Sequence, residues 1–231
     1  MDTSSNLSPL ALAAARQETA SIAVIIDYQN VHLTAHEAFA TKGDLRKYQT
    51  AINPILYAEE VVRQRNRLIG QRTLAGATNL PEQGHLDYIK VFRGEANAEQ
   101  SPFFHKCNEE QKRRWETDPR VDVEYRDLYY RWNNETGDYV SREKGIDVLI
   151  ALEAYRLTIS GAYDIIIIAS HDSDLIPVFE VAERDAHAGS GRLELACWDI
   201  NQRHRMEPAG AWTTILRKQS FVDVRDEPRP Y

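Results

Sequence analysis

Cysteine is scarce in this chain: among 231 residues only Cys107 and Cys197 occur, far apart in sequence. That excludes a disulfide framework, and neither cysteine has a partner at metal-ligand spacing; reduced thiols are the simplest reading. Long apolar runs are missing too, and nothing approaches the roughly 20 residues that span a bilayer. The stretch Leu10-Ala11-Leu12-Ala13-Ala14-Ala15 is too short for a signal segment and follows the acidic Asp2 instead of a basic region. The expectation is a cytoplasmic protein with no membrane partner. Positive charge is in deficit: 28 Lys and Arg against 35 Asp and Glu leave a net −7. Such a balance argues against a dedicated high-affinity nucleic-acid binder, although local basic patches remain compatible with it. No glycine-rich turn follows the first apolar run, as a dinucleotide-binding domain would want, and no G-x-S-x-G elbow appears.

What is present reads as a single α/β domain. A hydrophobic fraction of 42% with 27% charged residues is that of an ordinary globular protein. Residues 1–20 read as a flexible leader with one short helix around Leu10 to Arg16, residues 21–225 as one domain, and 226–231 as a tail. Ile22 to Ile26 is short and β-branched, hence a buried strand. Asn53-Pro54 opens a helix to about Arg72, with Asn as cap and Pro at the first helical position. Leu86 to Phe92 is the next strand, Ser101-Pro102 starts a polar helix, and Val121 to Tyr130 alternates as a strand. Asn133 to Asp138 is turn-rich. Asp147 to Ile159 is predicted as a buried helix, Ile165 to Ala169 as a central strand, Leu175 to Ala188 as a helix and Leu193 to Trp198 as a further strand. Strands alternating with helices imply a mostly parallel sheet covered on both faces, whose functional sites lie beyond the carboxyl ends of the strands.

Four aspartates fall at such places. Asp27 ends the first apolar run, Asp172 and Asp174 follow Ile165-Ile166-Ile167-Ile168-Ala169-Ser170, and Asp147 opens a helix. Two carboxylates about 4 Å apart repel by roughly 4 kcal/mol at an effective dielectric of about 20. Several gathered acids therefore hold a proton or surround a cation. Oxygen-only donors suit Mg²⁺ or Mn²⁺, and Mg²⁺ takes few carboxylates, keeps waters and accepts phosphate oxygens. The substrate class this favours is a phosphate ester. Against it stands a plain structural role: Asp172, Asp174 and Asp147 each sit where they could cap a helix or complement its dipole.

Three segments carry a family resemblance: Ile25-Ile26-Asp27-Tyr28-Gln29-Asn30, Glu143-Lys144-Gly145-Ile146-Asp147 and Ala169-Ser170-His171-Asp172-Ser173-Asp174-Leu175-Ile176-Pro177. In order and flanks they resemble the acidic motifs of the NYN domain, a branch of the PIN-like nuclease superfamily. The resemblance implies a Rossmann-like α/β/α sandwich and metal-dependent cleavage of RNA. It also implies that Asp27, Asp147 and Asp172 bind Mg²⁺ or Mn²⁺, with Asp174 bound directly or through water. Asn30 would orient an acid or a bound water, and Ser170 would support the acids from behind. Lys144 would touch a substrate phosphate or stay solvated. His171 stands where the family usually has glycine; it is expected to point outward, with contact to substrate or crowding of the loop as alternatives.

For the RNA itself, Arg63 and Arg67 share one helix face, with Arg65 and Arg72 adjoining, and a second helix offers Lys106, Lys112, Arg113 and Arg114 beside Trp115, a candidate stacking group. These helices are also what solvated faces look like. Two other readings compete. A haloacid-dehalogenase-like phosphatase needs a second acid two residues after Asp27, where this chain has Gln29. A non-cleaving NYN-like module would bind RNA or a protein without cutting. Homo-oligomerisation is left open.

Overall fold

The computed structural model describes residues 19–40, 45–135, 137–200 and 206–226. The expected helix around Leu10 to Arg16, most of the leader and all but Asp226 of the tail lie outside them.

The first strand, β1 (Ala20–Asp27), runs through Ile22, Ala23, Val24, Ile25 and Ile26, each essentially without exposure. Alternate side chains enter opposite layers, as a strand's period of two demands. Ile22, Val24 and Ile26 face one core, Ala23 and Ile25 the other. β2 (Gly84–Glu95) and β6 (Ile165–Ala169) flank β1, both parallel to it. Beyond them lie β3 (Val121–Asp127), β7 (Arg192–Trp198) and the short β8 (Thr213–Leu216), giving a six-stranded sheet in the order β3-β2-β1-β6-β7-β8, parallel throughout.

Helices cover both faces. On one side α1 (Tyr28–Phe39), α2 (Pro54–Leu74) and α6 (Lys218–Val224) bury Tyr28, Val31, Tyr57, Val61 and Phe221 against the sheet. On the other, α4 (Ile146–Ser160) and α5 (Ile176–Asp185) contribute Ile150, Ala154, Leu157, Val178 and Phe179. The remaining long helix, α3 (Pro102–Trp115), follows β2 and precedes the edge strand β3. The architecture is an α/β/α sandwich with a central parallel sheet. Strand order reverses at β1 and β6: successive strands proceed outward from β1 to one edge, then from β6 to the other. In an open parallel sheet that crossover leaves a crevice beyond the strand ends.

Several expectations need correction. The run Val121 to Tyr130 is not one strand: pairing with β2 stops at Asp127, and Tyr129 onward belongs to a separate antiparallel hairpin of β4 (Tyr129–Asn133) and β5 (Asp138–Arg142). Asn133 and Asp138, the ends of the turn-rich segment, are the cross-strand pair that closes this hairpin. α5 ends at Asp185 rather than Ala188. α1, β8 and α6 fall in stretches where the sequence pattern assigned nothing. No described helix is long and apolar enough to cross a membrane.

Candidate active site

Asp27 is the last residue of β1 and the cap of α1, and is only 6% exposed. Its Oδ1 accepts the backbone N–H of Asn30 at 3.3 Å, and its Oδ2 accepts the hydroxyl of buried Ser170 at 3.0 Å. The Ser170 oxygen in turn accepts the N–H of Asp172 at 3.1 Å. One hydroxyl thus joins the ends of the two central strands and fixes the loop that carries Asp172. Asn30 reinforces this arrangement: its Oδ1 accepts the N–H of His171 at 2.8 Å. That side-chain oxygen holds the loop backbone and is not bonded to an acid.

His171 departs from expectation. Its Nε2 accepts the backbone N–H of Trp198 at 2.9 Å, so the ring turns inward and ties the β6 loop to the end of β7. A glycine could not make that bond.

The third acid arrives from the opposite layer. Gly145, at φ +76°, turns the chain into α4, and Asp147 lies in the first turn of that helix. There a negative charge is favoured by the helix dipole. Asp27, Asp147 and Asp172, from three distant segments, line one cavity of about 550 Å³ together with Asn30 and Lys144. Asp174 does not line it. The 3₁₀ turn after Asp172 directs Asp174 into an adjoining apolar groove between α4 and α5, which Asp147 also borders. The N–H of Asp174 donates to Asp172 Oδ1 at 3.0 Å, so Asp172 does cap a turn as well as face the cavity.

Two further acids line the cavity that sequence reasoning did not single out, Glu37 of α1 and Glu143. The Glu143 Oε1 accepts the N–H of Gly94 at 2.5 Å. A Cβ on Gly94 would stand 2.7 Å from the Glu143 Cγ, so this approach requires glycine there. Glu143 adjoins Lys144 in the second acidic motif, but only the close passage of β2 brings it inward.

Burial is the main cause that pushes the Asp27 carboxyl up to about 7. The Ser170 hydroxyl and the Asn30 N–H oppose the rise, while the charges of Glu143 and Asp172 add to it. Burial likewise raises Glu143, against the pull of the Gly94 N–H and the Arg93 charge. A cation in the cavity would relieve both the buried charge and the mutual repulsion. Among the described residues, no three Asp, Glu, His or Cys side chains stand close enough to enclose an ion. An ion that keeps most of its waters does not need such a cage. The groups there that could bind a cation are carboxylate and amide oxygens, a donor set that fits a hard divalent ion.

The expected RNA-binding helices are not part of this site. Asn66 bonds the carbonyl of Gly84, the first residue of β2, so this part of α2 lies at the amino ends of the strands. Neither Arg63 nor Arg67 lines the acidic cavity, and Arg63 is paired with Glu60 at 2.5 Å. Arg65 is wholly buried against Glu194, and Arg72 lies over Trp212. Arg113 borders a charged groove along edge strand β3, and Arg114 pairs with Asp226. Trp115 is fully buried, its ring 4.9 Å from that of Tyr28, and offers no stacking face. Helix-face charge patterns do not reveal which end of a sheet a helix segment will occupy. Lys144 does lie at the cavity, exposed, with its Nζ 5.8 Å from the Tyr129 ring.

A six-stranded parallel sheet between helical layers, with acids at adjacent strand ends, is an α/β/α sandwich of the PIN-like, nuclease-like type. The NYN domain family model matches residues 21–188, and the chain belongs to that family. No curated protein matches it. Among solved structures, a protein of unknown function from Vibrio parahaemolyticus is similar at 15% identity, over 86% of this chain and 93% of its own, with a TM-score of 0.45.

Proposed function

We propose that the protein is a metal-dependent ribonuclease that hydrolyses RNA phosphodiester bonds. The observation that carries this reading is the meeting of Asp27, Asp147 and Asp172 in one cavity at the crossover of the sheet. These three would hold Mg²⁺ or Mn²⁺; Asp174, in the neighbouring groove, is left out of the set. Bound there, the ion would lower the pKa of a water and neutralise phosphate charge. The chain's own residues hold the carboxylates in place. Ser170 keeps Asp27 and the Asp172 backbone in register, Asn30 and His171 anchor the loop between them, and Lys144 supplies a positive charge at the rim for a phosphate. Burial keeps the site short of water around Asp27, so added positive charge counts for more there than in solvent.

The open spacing of the carboxylates favours one competing reading, an RNA-binding module that does not cut. The two separate on a single assay with purified protein, Mn²⁺ and labelled RNA. Cleavage by the parent chain that falls at least about 100-fold in Asp172→Asn, with unchanged circular dichroism, supports the enzyme. A parent chain that binds RNA yet leaves it intact with Mg²⁺ and Mn²⁺ supplied establishes the non-cleaving module instead.

A further inference from the structure

Beside the acidic cavity lies a second one, of about 510 Å³, and the two share Gln29 and Leu33 of α1 as a common wall. The character of the lining changes across that wall. Among the described residues, none that lines the second cavity is acidic; Lys47, Arg93, Phe104, Tyr130 and Tyr139 stand there instead. Arg93 is held in position, its guanidinium 4.7 Å from the centre of the Tyr28 ring and bonded to Gln111. A guanidinium fixed in this way loses little freedom on meeting a phosphate.

The outer wall of the second cavity is the β4–β5 hairpin. This ribbon forms a sheet of its own. Two strands bury too little surface to form a core by themselves, yet its aromatics stay in solvent: Tyr129 is 58% exposed, Trp132 50% and Tyr139 53%. Trp132 and Tyr139 are cross-strand partners and meet edge to face at 5.1 Å, which keeps ring surface available. Phe104 adds another exposed ring across the cavity, at 64%. A fixed guanidinium and an exposed lysine next to solvent-facing aromatic rings are the combination that holds single-stranded nucleic acid, with phosphates taken by charge and bases by stacking.

We propose that this second cavity and the hairpin ribbon form a subsite for the nucleotides of a single-stranded RNA next to the scissile phosphate. The proposal rests on the ribonuclease reading above and adds the form and path of the strand. Lys47 and Arg93 take phosphate, Tyr139 and Phe104 stack a base, and the strand continues past Trp132. Duplex RNA, with its bases already stacked on each other, gains nothing from these rings.

The test measures binding in chelator, so that cleavage does not enter, with the full chain and a fluorescein-labelled single-stranded 12-mer read by anisotropy. Tyr139→Ala and Lys47→Ala, both at exposed positions, are expected to weaken binding about 10-fold each, while Tyr139→Phe keeps the parent affinity. Affinity for a duplex of the same length should not move. Trp132 emission should be quenched by the single strand, a change lost in Trp132→Phe. Trp115 and Trp198 are fully buried, and the half-buried Trp212 lies against Arg72 and lines neither cavity, so its emission stays in the Trp132→Phe background. The subsite is overturned if the parent chain fails to bind the single strand, or if the alanine variants bind as well as the parent. It is also overturned if hairpin substitutions alter only self-association in sedimentation. The outcome is separable from the ribonuclease reading. A chain that binds through these residues but never cuts with Mn²⁺ keeps the subsite and loses the enzyme; one that cuts while the variants bind unchanged does the reverse.

Discussion

At the scale of single residues, Asp27 has two roles that pull against each other. It caps α1 and accepts the Ser170 hydroxyl, yet it is a nearly buried carboxylate with other acids for neighbours. A buried acid whose pKa is raised penalises the fold once it ionises. The penalty is absent below the unfolded value of 3.8, grows as pH climbs, and is complete above about 7. A rise of that size costs at most on the order of 4 kcal/mol. Asp27→Asn keeps an acceptor for the Asn30 N–H, and its amide can donate to Ser170 by reversal of the hydroxyl. In chelator at pH 8 this variant should therefore melt higher than the parent, with the difference shrinking toward pH 5, while any metal-dependent cleavage is lost. Melting curves at the two pH values decide it. A variant less stable than its parent at pH 8 would mean that the carboxylate is not held against its own charge.

At the scale of elements, legibility followed how much each segment owed to its own residues. Ile165 to Ala169 is apolar and mostly β-branched without interruption, so it could only be a buried strand, and α2 announced itself through the Asn53 cap and Pro54. α1 gave no such signal. Three buried residues, Tyr28, Val31 and Ala35, with Phe39 packed against the core at its end, hold a helix whose other positions are mostly polar. The hairpin was hidden for another reason: Val121 to Tyr130 alternates evenly, and the break after Asp127 is set by the end of pairing with β2. α1 relies on tertiary anchors, and His32 is one of them, its ring bonded to the Lys47 carbonyl at 2.8 Å and to Thr50 at 3.3 Å. Burial is the chief reason that His32 is held down to about 4. A base depressed in the folded state contributes stability fully above its ordinary value of 6.5, and the contribution is lost as pH falls from there to about 4. The loss is on the order of 3 kcal/mol. Relief of the Asp27 charge works in the opposite direction over the same window in both chains, so the difference between them is the readout. In urea titrations from pH 7 to 4, His32→Gln should gain stability relative to the parent by up to about that amount. Parallel curves for the two chains would discard the assignment.

At the scale of the whole molecule, topology made part of the site readable and geometry withheld the rest. The alternation of strands and helices put Asp27 and Asp172 beyond the carboxyl ends of strands in a parallel sheet, and the pairing of β1 with β6 is what makes them neighbours. Glu143 and Glu37 come in through the close passage of Gly94 and the set of α1, which no residue pattern encodes. The arginines of α2 misled for the matching reason, since charge spacing on a helix is blind to the ends of the sheet. Arg65 shows what one of them does instead. Its Nε and Nη2 bond the two Glu194 oxygens at 2.6 and 2.8 Å, and its Nη1 bonds the Glu82 carbonyl at 2.8 Å; both Arg65 and Glu194 side chains are fully buried. The pair joins α2 to β7, and neither residue lines the acidic cavity. Arg192 also reaches the Glu194 Oε1, at 3.1 Å, but is itself half exposed. Removing Arg65 still leaves most of a buried charge uncompensated, at up to about 3–5 kcal/mol, whereas replacing both Arg65 and Glu194 with apolar groups of similar volume is often close to neutral. Arg65→Met alone should therefore lose most of that amount in urea unfolding, and Arg65→Met with Glu194→Leu should recover the larger part of it. Cleavage per folded molecule should be the same in all three chains. A double variant as unstable as the single one would mean that the ion pair specifies how α2 seats on the sheet, and a drop in cleavage per folded molecule would tie that seating to the acids at the far end of the strands.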